Sequence, residues 1–459
     1  MYVCGITVYD YCHLGHARAA VVFDVVYRYL KYKGFDVQYV RNFTDIDDKI
    51  IKRSQETGMD WRELTAKFIQ AFHEDMAALG NLKPTQEPKA TEFIEGMQAM
   101  IAKLIENGLA YRGGNDVFYS VRKFPTYGEL AQKNIEDLDV GARVEVDEDK
   151  KDPLDFALWK GAKPGEPKWS SPWGEGRPGW HIECSTMSTQ LLGNTLDIHG
   201  GGRDLTFPHH ENERAQSEGA TGQTFARYWI HNGFVNLNAD KMSKSTGNFL
   251  TIRDVLRQFP FEAVRYFLLA SHYRSPLDFT DQNIKDAQSA VDRVYQTLER
   301  LVQFTPGKGC PESILKDLDA QLARFAKGFS EAMDDDFNTA QVLGFTFDLI
   351  REVNRFLDQQ PSVAQWSDRK GKIESCFKPL RETLGLFGQN PQKYFQFQKE
   401  RVLKEGAMSD AEIQEKIEQR KQARNGKDFA RADQIRAELA DRGIVLKDNP
   451  DGSTSWTVK

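Results

Sequence analysis

His13 and His16, three residues apart in His13-Leu14-Gly15-His16, stand where a short apolar run, Met1 to Gly5, hands over to a helical repeat of Ala19, Val22, Phe23, Val26, Tyr27 and Leu30. Strand, loop and helix in that order put both imidazoles in the first turn of a helix, on one face. The unpaired N–H groups and partial positive charge of a helix start suit a phosphate, and Gly15 lets the backbone come close to a bulky ligand. The plainer reading of the same pair is a helix cap. Lys241 and Lys244, in Lys241-Met242-Ser243-Lys244-Ser245, set two ammonium groups on a polar loop. There they can stabilise charge that grows on a leaving pyrophosphate; the plainer reading is a solvated loop. His209 and Glu213 are one helical turn apart after Phe207-Pro208, so they share a face while His210 points elsewhere. With Cys4 and Cys184 they supply two thiolates, an imidazole and a carboxylate, a donor set suited to zinc. Scattered single ligands are a weaker signal than paired knuckles, and Cys4 alone reads as a small core residue.

These residues need a scaffold that brings them together. A second strand over 36–43 follows the first helix and completes a strand–helix–strand unit, hence a parallel sheet. Helical patterns run through Asp45–Thr57, Trp61–Leu79 and Ala90–Asn107. Residues 108–178, with short strand-like pieces, glycines, prolines and a charged segment, read as an inserted domain. Helix 179–193, a strand from Thr195 that gives way to a glycine loop at 200–202, a strand over Tyr228–Leu237, the polar loop Lys241–Asn248 and a helix at Thr251–Phe259 resume the parallel-sheet pattern. After about residue 285 the chain turns helical, with bundle-like periodicity in Ala287–Phe304, Ile314–Ala332, Thr339–Gln360 and Lys372–Gly388. Thr339, beside Asn338, reads as an N-cap, and the acidic run Asp334–Asp336 as a solvated helix start or a metal site. Residues 390–408 read as a linker, and the end as a helical hairpin broken at Asn425-Gly426 followed by two short strands. There is no internal repeat or low-complexity segment.

A chain of 459 residues supports a large core and several domains. Its 40% apolar and 28% charged content is ordinary for a globular protein, and it lacks both an apolar run long enough to span a membrane and a signal-peptide layout. Five scattered cysteines fit a reducing cytoplasm, where thiols ligate metal or fill the core. A net charge of −6 gives no bulk attraction to nucleic acid and leaves that task to local basic patches.

HLGH after a first strand, paired with the later KMSKS, resembles the two signature motifs of class I aminoacyl-tRNA synthetases. MYVCGITVYDYCHLGHAR, VRNFTDIDDKII, RPGWHIECS, DIHGGGRDLTFPHHENERAQS, KMSKSTGNF, MDDDFNTA and KDFARADQIRAEL together are similar to the cysteinyl-tRNA synthetase family, over essentially the whole chain. The resemblance implies an α/β fold: a Rossmann-type parallel sheet interrupted by an insertion, then a helical bundle and a small C-terminal α+β module. It divides the chain into catalytic halves 1–107 and 179–250, an insertion 108–178, a stem-contact segment 251–286, a tRNA-binding bundle 287–389 and an anticodon-binding module 405–459. By the same resemblance, Cys4, Cys184, His209 and Glu213 hold one zinc ion that takes the substrate thiolate directly. His13, Gly15 and His16 meet ATP, supplied with Mg2+, and Lys241 and Lys244 hold its phosphates during adenylate formation. Thr44 and Trp180 line the cysteine pocket, and Gly202 and Asp204 lie near the adenosine. The implied partners are L-cysteine, ATP and the cysteine tRNA, in a cytoplasmic monomer. Arg420, Lys421, Arg424, Lys427 and Arg431, beside Phe429, form a basic run suited to RNA phosphates and base stacking. The family's chains enter the first strand from an upstream segment, whereas Met1 here falls inside it, close to the ligand Cys4. A related ligase of mycothiol synthesis shares the catalytic half but should lack the tRNA-reading end. A non-catalytic RNA-binding descendant would need neither HLGH nor KMSKS.

Overall fold

The computed structural model describes residues 1–134, 149–237, 240–241, 250–404, 408–448 and 453–458. In chain order, strand β1 (Tyr2–Thr7) leads to helix α1 (Leu14–Tyr32), β2 (Val40–Thr44), α2 (Asp48–Thr57), α3 (Trp61–Ala78) and α4 (Ile94–Glu106). Four strands follow, β3 (Ala110–Gly113), β4 (Asp116–Tyr119), β5 (Phe156–Gly161) and β6 (Gly176–Pro178), then α5 (Trp180–Leu192), β7 (Leu196–Gly202), α6 (Glu211–Thr221) and β8 (Ala226–Asn232). Next come β9 (Val235–Leu237), β10 (Asp240–Lys241), α7 (Ile252–Gln258), α8 (Phe261–Leu269) and β11 (Leu277–Phe279). The rest is helical, α9 (Asp281–Gln303), α10 (Glu312–Asp334), α11 (Thr339–Asp358), α12 (Val363–Pro379), α13 (Pro391–Lys404), α14 (Asp410–Asn425) and α15 (Phe429–Asp441), up to the hairpin β12 (Ile444–Asp448) and β13 (Thr454–Val458). No helix among the described residues is long and apolar enough to cross a membrane.

The chain forms two compact units. The first comprises Met1–Gln288, Arg324–Thr346 and Lys378–Leu386. Its central sheet is parallel, in the order β2-β1-β7-β8, and Thr85–Lys89 extends it beside β2 through the bonds Arg41 N to Gln86 O and Phe43 N to Pro88 O. Because β1 pairs with β2 on one side and with β7 on the other, the chain reverses its winding at β1. In such sheets ligands lie beyond the carboxyl ends of the strands at that reversal. Both faces of the sheet are covered, so β2 is buried throughout and β1 over its first half; β1 reads as an apolar run, whereas β2 buries Arg41, Asn42 and Thr44 as well as Val40 and Phe43. Insertion strands β3 to β6 form a separate antiparallel sheet, and β10-β9-β11 a third small one.

The second unit comprises Ser289–Ala323, Phe347–Phe377 and Phe387–Lys459. Here Arg300 pairs with Asp358, and Thr297 accepts from Asn354. The α14–α15 hairpin closes over β12–β13 around Ile413, Ile417, Ile435, Leu439, Ile444 and Trp456.

Several expectations need correction. The second strand covers Val40–Thr44, and 36–39 precede it. Tyr228–Leu237 is two strands in different sheets, since Gly233 donates its N–H to Tyr273 O and turns the chain out of the main sheet. Residues 390–408 are no plain linker, because 391–404 are helical. Asn390 accepts from the N–H groups of Gln392 and Lys393, Pro391 opens the helix, and buried Tyr394 stacks on Tyr295. The cap of α11 is Asn338, which accepts from Gln341 N, whereas the Thr339 hydroxyl donates to Leu269 O.

Candidate active site

A cleft of about 670 Å3 opens at the carboxyl ends of the central strands, within the usual range for small-molecule sites. His13, Gly15, His16, Trp180, Gly202, Asp204 and Cys4 border it, as do Lys49, Lys52 and Arg53 of α2.

His13 is the N-cap of α1 rather than a residue of its first turn. Its Nδ1 accepts from Gly15 N at 3.1 Å, and its own N–H donates to His16 Nδ1 at 3.2 Å. The two rings stack with centroids 3.9 Å apart. The cap and the cleft-facing position therefore coexist, so the two sequence readings are not exclusive. A side chain on Gly15 would start 2.8 Å from His13 Cε1, so glycine here makes room for the histidine ring. Lys241 has its backbone in β10, while Lys244 lies outside the described residues.

Cys4, Cys184, His209 and Glu213 come from β1, α5, the turn before α6 and α6 itself, and their donor atoms all lie within 4.8 Å of one another. The Cys4 thiol donates to Glu213 Oε1 at 3.1 Å, and His209 Nε2 lies 2.9 Å from the same oxygen. Asn42 Oδ1 accepts from Gly5 N at 2.8 Å and lies 3.7 Å from Cys184 Sγ, so it steadies two of the donors from β2. At Gly5 the Asn42 carbonyl would stand 1.7 Å from any Cβ, and the pairing of β1 with β2 shifts register between Val3 and Ile6. Of the four donors only Cys4 borders the cleft, with the others behind it. Trp180 stacks on His209 at 4.3 Å and forms part of the cleft wall. Thr44 is buried and donates its hydroxyl to Glu183 at 2.7 Å, away from the cleft lining.

The electrostatics suit a divalent cation. Burial works against charge on Cys184, yet the Cys4 thiol and His209 outweigh it and bring its pKa down to about 6. Burial likewise opposes a charge on His209, but Glu213 and Cys184 lift it to about 10. Against the same desolvation, His199 and His209 hold the Glu213 carboxyl well below its usual range. Burial, then Cys184 and Glu213, push the Cys4 thiol up. The shifts favour charge of opposite sign on these neighbours within a buried pocket, an arrangement that suits a metal ion. Glu213 Oε2 is buried, with His199 Nε2 beside it at 3.2 Å. Donors of a tetrahedral zinc site stand about 3.3–3.8 Å apart, a spacing compatible with this cluster. The residues present fit the ion.

Sequence reasoning missed the histidines behind this cluster. His199 on β7 lies 3.2 Å from Glu213 Oε2 and 3.5 Å from Cys4 Sγ, and His181 Nδ1 lies 2.8 Å from His209 Nδ1. His210 does not point away. It joins Cys4, His199 and Glu213 in a second donor group and meets His231 at 2.7 Å, because the turn Thr206–His210 is wider than an α-helix and α6 proper starts at Glu211. Burial, reinforced by neighbouring imidazoles, lowers the pKa of His181, His210 and His231, the last to about 4. The available signal was the run of histidines His181, His199 and His231 around the His209-His210 pair; their convergence depends on the pairing of β7 with β8.

Asp334 to Asp336 belong to no metal-ligand cluster among the described residues. Asp334 accepts from Tyr29 and Lys33, and Asp336 from Tyr273 and Arg274. In the C-terminal module Arg420 is buried and forks onto Asp448, which also holds Arg424, so these two arginines tie α14 to β12. Those arginines hold the Asp448 carboxyl below its usual range. Phe429 is 62% exposed, and Lys421, Lys427 and Arg431 are exposed as well.

A parallel nucleotide-type sheet, a histidine-capped helix at its switch point and a lysine-bearing strand pair define a class I aminoacyl-tRNA synthetase. Residues 1–289 match the family described as tRNA synthetases class I (C) catalytic domain, 328–388 the DALR domain, and 409–456 the cysteinyl-tRNA ligase anticodon binding domain. The fold is also that of Mycobacterium tuberculosis methionyl-tRNA synthetase in complex with methionyl-adenylate, with a TM-score of 0.62 at 15% identity over 85% of this chain and 92% of that one. Cysteine–tRNA ligase of Pelobacter propionicus is 51% identical over 100% of this chain and 95% of its own length. That of Thioalkalivibrio sulfidiphilus is 54% identical over 99% and 94%. The chain belongs to the cysteine–tRNA ligase family.

Proposed function

We propose that this protein activates L-cysteine with ATP and transfers the cysteinyl group to the 3′ end of the cysteine tRNA, as a cytoplasmic monomer. The observation that carries the substrate assignment is the convergence of Cys4, Cys184, His209 and Glu213 behind a cleft whose rim holds the histidine-capped start of α1. Zinc held by these four residues would supply a preference for sulfur over oxygen, which apolar packing alone gives only weakly. His181 keeps His209 oriented through its second nitrogen, and Asn42 steadies the strand that carries Cys4.

The protein's own groups do the rest by positioning and charge. The substrate carboxylate attacks the α-phosphate of ATP, adenylate forms and pyrophosphate leaves. The N-terminus of α1 faces the phosphates, with His13 and His16 held at its cap by their Nδ1 atoms. Gly202 and Asp204 serve the adenosine, and Trp180 packs against the amino acid. Thr44 acts one layer behind, through Glu183. Lys241 and Lys244 meet the charge that develops on pyrophosphate, with Mg2+ accompanying the nucleotide. A hydroxyl of the terminal adenosine then accepts the cysteinyl group, and no protein nucleophile is needed.

Pyrophosphate exchange with cysteine and with serine, followed by tRNA acylation on enzyme of measured metal content, tests the reading. Cysteine should be favoured by at least about 10⁴-fold in kcat/KM, the scale of a direct polar readout. An active and selective enzyme devoid of metal would refute the zinc assignment. Exchange without acylation would favour the mycothiol-type ligase.

A further inference from the structure

Both ends of the lysine-bearing segment are tied to α1. On its C-terminal side, Leu14 N donates to Leu250 O at 3.2 Å and Ile252 N donates to Cys12 O at 3.0 Å, with His13 bridging Thr251. On its N-terminal side, β9 pairs with β10, which carries Lys241, and with β11. Two turns lead into this small sheet, Gly233-Phe234 before β9 and His272–Ser275 before β11, and they converge on the guanidinium of Arg18. Its Nη1 donates to Phe234 O at 3.0 Å, and its Nη2 points at Ser275 O, Tyr273 O and His272 O at 2.5, 3.3 and 3.4 Å. Arg18 is fully buried on α1, five residues beyond the N-cap His13.

The two turns also touch directly. Gly233 N donates to Tyr273 O at 2.8 Å, and a Cβ on Gly233 would lie 2.4 Å from Ser275 O. The same 272–275 turn is braced by Asp336, which accepts from Tyr273 OH at 2.6 Å and takes Arg274 on both oxygens, at 2.5 and 3.0 Å. Asp336 and Phe337 both have φ of 55°, a left-handed conformation that is costly for residues with side chains. Such conformations persist where the surroundings over-determine them and cluster at sites whose geometry matters. A planar fork reaches the two turns with two separate nitrogens held in a fixed plane, an arrangement that the single nitrogen of a lysine ammonium does not reproduce.

We propose that Arg18 is a positioning residue for the phosphate chemistry. It holds the entry to the lysine segment in register with the helix whose first residues fix the exit, and Asp336 braces the same turn. Helix α1 thereby ties down both flanks of the lysine segment, at β9–β10 and at Leu250–Ile252. The inference rests on the reading of Lys241 and Lys244 as phosphate-binding groups.

The test uses the full-length enzyme with Arg18→Lys and Asp336→Asn, each alone and combined with Lys244→Ala, in cysteine-dependent pyrophosphate exchange. Arg18→Lys should lower kcat by about 10²-fold and Asp336→Asn by about tenfold, with the KM for cysteine within about twofold of the parent, as for misplacement of a distant group. In the Lys244→Ala background each should add little, because the group being positioned is already gone. Additive losses, or losses confined to the KM for cysteine, overturn the proposal and leave the lysine reading standing. A normal Lys244→Ala enzyme overturns the lysine reading, and the proposal with it. If Arg18→Lys melts below the assay temperature, the cycle with Asp336→Asn, whose side chain is 37% exposed, decides by the same criteria.

Discussion

At the scale of single residues, the proposed chemistry separates groups that act in the ground state from those that act in the transition state. Lys244 belongs to the second kind if it meets charge that appears only on departing pyrophosphate. Lys244→Ala is then expected to leave cysteine affinity nearly unchanged and to slow adenylate formation by about 10²-fold or more. Rapid-quench measurement of adenylate at saturating cysteine checks this; normal turnover with a raised KM would contradict it. The metal donors belong to the first kind. Cys184→Ser or His209→Ala should weaken zinc binding by more than about 10²-fold, since even an outer-layer partner can cost that much. Cysteine affinity should fall with the metal while ATP binding survives. Metal analysis alongside nucleotide titration of the same preparation checks both halves.

At the scale of elements, the donors depend on how closely β1 and β2 approach. Gly5 allows it, because the Asn42 carbonyl occupies the place of a side chain and cannot swing aside as a flexible one would. Gly5→Ala should therefore cost about 3 kcal/mol or more, the upper range for overpacking, and should release metal by displacing Cys4. Thermal melting with and without added zinc checks this, and a melting point within a degree of the parent would show that the strands can shift freely. Helix α13 makes a different point. Its signal was local and present, an asparagine cap followed by proline at the first helical position, but polar composition hid it. The buried Tyr394–Tyr295 stack, set by residues about a hundred positions apart, secures it.

At the scale of the whole molecule, the C-terminal module has its own core, with Ile413, Ile435, Leu439, Ile444 and Trp456 at its centre and Asp448 pairing with Arg420 and Arg424. That self-sufficiency suggests it can be removed. Deleting 405–459 should spare cysteine-dependent pyrophosphate exchange and lower kcat/KM for tRNA by about 10²-fold or more, the contribution a second linked binding module can make. Equal loss of both activities would make the module a folding element. Lys421, Lys427, Arg431 and Phe429 are exposed, whereas Arg420 and Arg424 are engaged inside the module, so on the proposed reading RNA contact would fall to the former. The helical hairpin, the strand–loop–helix at His13 and the matching of His209 with Glu213 were legible in the sequence, because each signal lies within a few residues and one or two helical turns. Convergence was not legible from spacing. Cys4 meets Glu213, Arg18 meets the 272–275 turn, and His199 and His210 join the donor group only because β1 lies between β2 and β7 in a parallel sheet. Periodicity tells each element which face to bury. The order of strands and the wide turn before α6, which depend on packing across the whole unit, decide which of those faces meet.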